Sequence, residues 1–257
     1  MGKKLENAIN LYFEGIRDGR VREAVTKYTG ARYTQHSTGV KDGVEGFVEF
    51  FEPFIERNPK RDIQIVRAIE DGQYVFLHVY QSLNEGETEW VTTDFFDTDE
   101  NDKIIEHWDV ISEYAPQTPS GHTSIDGPTE FTDLEETLEN KQLVRDLISD
   151  VLIGELPENI DNYISGERYI QHNAEVPDGL EHFKPLALAE DKPLVYEEIV
   201  LLVGQGSFVA TLCKAFWEGQ AFAQVDIFRI EEGKAVEHWD NAEPIPPEDE
   251  WVNSGKF

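Results

Sequence analysis

Of its 257 residues only Cys213 is a cysteine, so the chain can form neither an internal disulfide nor a thiolate metal cluster. Cys213 sits in the apolar stretch VATLCKAF, where a thiol is expected to be buried and inert. Basic residues are scarce too: 22 Lys and Arg stand against 52 Asp and Glu, a formal net charge of −30. A surface of that sign repels phosphate backbones and anionic lipid, so neither nucleic acid nor a membrane is expected as a partner. The acids are spread along the chain, as on a solvated surface, and a salt-rich cytoplasm would screen their repulsion, which makes a halophilic source the working expectation. No apolar run reaches the length of a membrane helix, and Glu6 and Glu14 interrupt any signal-peptide core. Position 6 is also not the Ser or Thr that N-myristoylation requires. A soluble, cytoplasmic protein is expected.

What the chain does have is a pattern written twice. Glu-His-Trp-Asp occurs at 106–109 and again at 237–240, although tryptophan occurs only five times. Upstream, Tyr33-Thr-Gln35-His36 answers Tyr169-Ile-Gln171-His172, and each His is followed at the same offset by Asp-Gly, at 42–43 and 178–179. Thr93-Asp94-Phe95-Phe96 likewise answers Val225-Asp226-Ile227-Phe228. Four markers in one order, at nearly constant separation, read as a duplication. Between the copies runs a stretch rich in Pro, Gly, Ser and Thr, so the expected division is residues 1–116, a linker at 117–131, and a more divergent second domain at 132–257.

Apolar spacing predicts an opening helix over Leu5–Arg17, a shorter one around Val21–Tyr28, and a third over Gly46–Arg57 that stops before Asn58-Pro59. DIQIVRAI, YVFLHVYQSL, EWVTTDFF and KIIEHWDVIS then read as strands. In the second copy, Thr132-Asp133 is a capping signal before a helical stripe from Leu134 and Leu138 through Val144, Leu147, Ile148, Val151 and Leu152. Helices ahead of a run of antiparallel strands indicate an α+β class, with N-terminal helices packed on a curved, mostly antiparallel sheet and a pocket between them.

YTQH…KDGVEGFVEFFEPFIERNP, DGQYVFLHV and the DxF and KIIEHWDV strands resemble the SnoaL-like polyketide cyclase family, over nearly all of the first copy and more loosely over the second. The resemblance implies two tandem cone-shaped α+β barrels of the nuclear-transport-factor-2-like, or ketosteroid-isomerase-like, type. It also implies an intramolecular aldol closure with an acidic residue as base and no metal or cofactor. Proteins of this fold commonly pair through their sheets, so the resemblance further implies an intramolecular pseudo-dimer of the two domains or a homodimer. The superfamily hosts many activities, so the fold is the firmer implication.

Strand alternation puts His107 and Asp109 on one face, with Glu106 and Trp108 on the other, and His238 and Asp240 repeat this opposite Trp239. Phe76 and His78 share a face, as do Trp90 and Asp94. If these faces look inward, one cavity holds Asp94, His107, Asp109 and His78, with His36, Tyr33, Phe76 and Trp90 around it. Its counterpart holds His172, Asp226, His238 and Asp240. A carboxylate in an apolar pocket becomes a stronger base toward a carbon acid, and an imidazole can donate to the developing enolate. Asp109 is the first choice for the base and Asp94 the second, with His107 and His78 as donors. Buried structural hydrogen bonds are an equally available role for the His/Asp pair, and a structural one is favoured for the YxQH segment. Thr211 or Leu212 stands where His78 would align, and the helix EHFKPLALAE is short and broken by Pro185, so a decayed second site is expected.

The function expected is a cofactor-independent cyclase or isomerase acting on a small apolar carbonyl compound. A non-catalytic binding or scaffold protein of the same fold is the alternative. A metal site built from His36, His78, His107 and Asp109 ranks last, because their spacing matches no zinc signature.

Overall fold

The computed structural model describes residues 2–154, 156–189 and 191–257, so Glu190, which closes the expected EHFKPLALAE helix, lies outside the described residues. The chain forms two compact units, Met1–Glu113 with Pro246–Phe257, and Tyr114–Ile245. The stretch expected to be a linker therefore belongs to the second unit. The closing stretch, expected in the second domain, belongs to the first.

In the first unit α1 (Lys3–Asn10) continues into a π-helical stretch, Leu11–Arg17, where the Asp18 amide reaches back five residues to the Phe13 carbonyl at 2.9 Å. This wider turn carries the buried Tyr12 and Ile16. Then come α2 (Val21–Tyr28), β1 (Thr29–Gln35) and α3 (Gly43–Arg57). Helix α3 begins three residues earlier than its apolar spacing suggests, with Gly43 at φ +79°, and ends at the residue pair before Pro59, where a following proline disfavours helix. Four strands follow: β2 (Arg61–Asp71), β3 (Tyr74–Leu83), β4 (Thr88–Thr98) and β5 (Ile104–Glu113).

Their order in the sheet is β1-β5-β4-β3-β2, with β1 parallel to β5 and the other neighbours antiparallel. The α+β class is as expected, but the sheet is open rather than a closed barrel, because β1 and β2 lie at opposite edges and each pairs with one neighbour only. The helices cover one face. Ala8, Leu11, Val25 and Phe47 pack there with Val75, Leu77 and Val79 of β3 in one buried cluster. Burial of such side chains stabilises the unit by roughly 1.5–3 kcal/mol for each large one.

The second unit repeats the plan. Helix α4 (Thr137–Asp146) continues into a π-helical Leu147–Ile153, followed by β6 (Ile170–Gln171), α5 (Leu180–Ala187), β7 (Leu194–Gln205), β8 (Phe208–Trp217), β9 (Gln220–Glu231) and β10 (Lys234–Pro244). Its sheet order is β6-β10-β9-β8-β7, with β6 parallel to β10. Val144, Leu147, Ile148 and Val151 enter its core as the helical stripe predicts. Leu134 and Leu138 do not: they are 57% and 74% exposed, Leu134 in a short 3-10 turn at 134–136 and Leu138 in the first turn of α4.

Candidate active site

The two tetrapeptides explain themselves once β1 lies beside β5. Glu106 binds His36 Nε2 at 2.9 Å, and Trp108 stacks on the His36 ring, its centroid 4.6 Å away and the planes 2° apart. On the opposite face, His107 Nδ1 lies 2.8 Å from Gln35 Oε1, and its Nε2 lies 2.9 Å from Asp94 Oδ1. The Asp42 carboxylate accepts the Gln35 backbone N–H at 2.8 Å, which fixes the strand end that carries both Gln35 and His36. Three of the four markers thus meet at the β1–β5 junction, and the fourth, on β4, brings Asp94 to His107. His36 belongs to the outer side of that junction and not to the cavity, which corrects its expected place.

The inner side faces an apolar cavity of about 290 Å³, walled by Leu11, Phe47, Phe51, Phe54 and Trp90. Asp94, His107 and Asp109 line it together with Tyr33, so this part of the expected set is brought into one place. Tyr12 donates its hydroxyl to Asp94, 2.9 and 2.8 Å from the two carboxylate oxygens. Burial, reinforced by the charge of Asp94, raises the Tyr12 pKa well above its usual value, so the phenol stays a donor. Burial also raises the pKa of Asp94, against the opposing pull of His107. The two ring nitrogens of His107 thus lie against Gln35 and Asp94, with Nε2 directed at the Asp94 carboxyl group.

His78 and Phe76 are outside this cavity. Leu77, not His78, stands opposite Asp94 in the β3–β4 register, while His78 pairs with Thr93 on the other face. There its ring Nδ1 lies 3.2 Å from the Arg67 guanidinium, and Phe76 packs on Phe95 at 4.8 Å between centroids. With alternation of period two, a one-residue offset is enough to move both to the far side.

Asp109 has a partner with no counterpart in the repeat. Lys256, only 2% exposed, donates to Asp109 Oδ1 at 3.1 Å. Burial acts to raise the Asp109 pKa, but the Lys256 ammonium, His107 and the Ser37 hydroxyl outweigh it and hold the carboxyl below its usual range.

In the second unit, His238 lies 2.9 Å from Gln171 Oε1 and 3.0 Å from Asp226 Oδ1, and Tyr196 donates to Asp226 at 3.0 Å. Asp226, His238 and Asp240 line a cavity of about 510 Å³ with Phe183, Trp217 and Phe222. His172 does not; it stacks on Trp239 and binds Glu237 at 2.9 Å, as His36 does in the first unit. Asp240 is held by the Asn173 amide at 2.6 Å, and its pKa is raised by burial and by Asp226, against His238. The missing imidazole is replaced by Leu212, opposite Val225 on the face away from the cavity, and the shorter helical wall accompanies a larger hollow. Among the described residues no group of three or more His, Cys, Asp or Glu side chains is arranged to hold a metal ion.

Residues 9–107 match the family model of the SnoaL-like domain. The first unit is a SnoaL-like domain. The matched SnoaL-like stretch runs from α1 into the first tetrapeptide and ends two residues before Asp109. No curated protein sequence matches the chain. Among solved structures it is similar to a provisionally named polyketide cyclase from Bacillus cereus, with 16% identity and TM-score 0.38 over 43% of this chain and 74% of that one. A provisionally named polyketide cyclase from Acidithiobacillus ferrooxidans gives 18% identity and TM-score 0.38 over 43% and 89%. A provisionally named ketosteroid isomerase from Kribbella flavida gives 16% and 0.37 over 44% and 86%. No helix among the described residues is long and apolar enough to cross a membrane.

Sequence reasoning missed Gln35 and Gln171, Tyr12 and Tyr196, and Lys256 and Asn173. The glutamines were visible in the repeated YxQH. The tyrosines were not, because the π-helical stretch after α1 supplies one and β7 the other.

Proposed function

We propose that both cavities take small, largely apolar carbonyl compounds and move a proton at the carbon beside the carbonyl, without a cofactor, in the manner of an aldol cyclase or isomerase. The observation that carries this reading is the Asp94–His107 contact of 2.9 Å, backed by the Tyr12 phenol, on the floor of an aromatic hollow. Asp109 or Asp240 accepts the carbon-bound proton. A proton at the His107–Asp94 contact, or at the His238–Asp226 contact, is given to the oxygen of the developing enolate. The second cavity is the stronger candidate for turnover, because Asp240 is held by the Asn173 amide rather than by an ammonium and burial makes it the more basic carboxylate.

The test is proton exchange rather than a guessed substrate. Apolar cyclic 1,3-diketones and enones are incubated in D₂O, and deuterium uptake at carbon is followed by NMR. The protein should accelerate uptake, and Asp240→Asn with Asp109→Asn should reduce that acceleration by about 10²–10⁴-fold while the chain stays folded. Uptake at the buffer rate for every compound, with the compounds bound and recovered unchanged, would replace this reading with a binding protein of the same fold.

A further inference from the structure

We infer that Lys256 is a positioning residue of the first cavity: its ammonium pins one oxygen of Asp109, so that a ligand there meets a fixed anion, whereas the second cavity has no such cation. This rests on the proposed use of the cavity, but its test does not depend on turnover.

The placement of Lys256 is built, not incidental. Asn253 donates through its side-chain amide to the carbonyls of Ser37 and Val40, at 2.7 and 2.9 Å. The Val252 amide bonds the Thr38 carbonyl at 3.0 Å, and the Gly255 carbonyl accepts from His36 Nδ1 at 2.8 Å. Gly255 has φ +108°, and a Cβ there would lie 2.3 Å from the Trp251 ring, so only glycine suits the turn that delivers the lysine. Lys256 is not among the residues lining the cavity, so it acts through Asp109.

The other groups facing Asp109 do not replace it. They are Asp94 from β4, His107 from its own strand, Tyr12 from the π-helical turn, Tyr33 from β1, Ser37 beyond β1, and Arg57 of α3 elsewhere on the cavity wall. In the second unit, residues 114–131 take the corresponding place: Thr123 and Asp126 contact His172 as Gly255 contacts His36. That stretch contains no Lys or Arg. Lys192 lines the same cavity as Asp240, but its ammonium bonds the Val151 carbonyl at 3.3 Å. A carboxylate pinned as an anion can only accept, so the first cavity favours a ligand offering a hydroxyl or an acidic C–H. The second can also donate from a protonated Asp240 to a carbonyl oxygen.

The experiment is a ¹³C NMR titration of Asp side-chain carboxyls in the full chain, assigned through Asp109→Asn and Asp240→Asn. In Lys256→Met the Asp109 titration should move upward by about 1–3 pH units, while Asp240 stays where it was; Lys256→Arg should keep Asp109 low. An Asp109 titration unmoved in Lys256→Met, or an equal movement of Asp240, overturns the assignment. If Lys256→Met does not fold, Lys256→Met combined with Asp109→Asn should fold, since it leaves no uncompensated ion. Failure of that pair to fold would likewise overturn it. Loss of deuterium exchange with these titrations as expected would sink only the enzymatic reading.

Discussion

The two units use the same His, Gln, Trp and Asp framework and differ in what holds its last carboxylate: an ammonium for Asp109, an amide for Asp240. The framework is set by the strand junction, where the side chains of His36, Gln35 and His107 each meet two partners. The group behind the last carboxylate comes from loops outside the sheet, where a substitution disturbs no ladder. The comparison teaches that, in two cavities of one plan, one loop residue each decides whether the last carboxylate meets a cation or a neutral amide.

The largest way to break this comparison is to remove the lysine. Lys256→Met should cost about 3–5 kcal/mol in denaturant unfolding near neutral pH, because it leaves Asp109 buried and unpaired. Asp109 has a depressed pKa when folded, so its contribution is present above its unfolded pKa and is lost as pH falls through the folded value. The cost of the substitution should therefore shrink on acidification. A cost independent of pH would mean that the lysine contributes packing alone.

Next in size, Tyr12→Phe and Tyr196→Phe should each cost about 1.5–3 kcal/mol, since each hydroxyl donates to a buried carboxylate. Unequal costs would mean that the hydroxyl does not do the same work from a helix as from a strand. Smaller, but opposite in sign, is the pair Asp109→Asn and Asp240→Asn. The first strands a buried lysine and destabilises. Asp240 has a raised folded pKa, so its ionised form opposes folding at neutral pH and this is relieved as pH falls through the folded value. Asp240→Asn should stabilise by less than about 1 kcal/mol near neutrality and by less still in acid, read from melting curves across pH. The smallest expected effect is a rise in melting temperature with added KCl, from screening of the net charge of −30. A flat response removes the halophilic expectation.

How much of this could be read in advance follows from where each signal resides. Strand alternation is local, so the face shared by His107 and Asp109, and by His238 and Asp240, was legible from each tetrapeptide alone, while which way that face turns was not. The register of β3 against β4 is not local, and His78 and Phe76 were assigned to the wrong side by one residue. The open sheet was equally hidden, because a strand order says nothing in sequence about whether its edges meet. Lys256 lies in a closing stretch whose composition resembles any polar tail, and only the return of Asn253 and Gly255 to residues 36–40 gives it meaning.

That return also sets an order of events during synthesis. The ribosome finishes β5, with Asp109, long before residues 246–257 exist. Until the nascent chain has passed through the whole second unit, the first lacks the lysine that pairs with Asp109. The first unit, begun before the second, is thus completed after it, and a chain released early, after β10, would carry a finished second site and an unfinished first one.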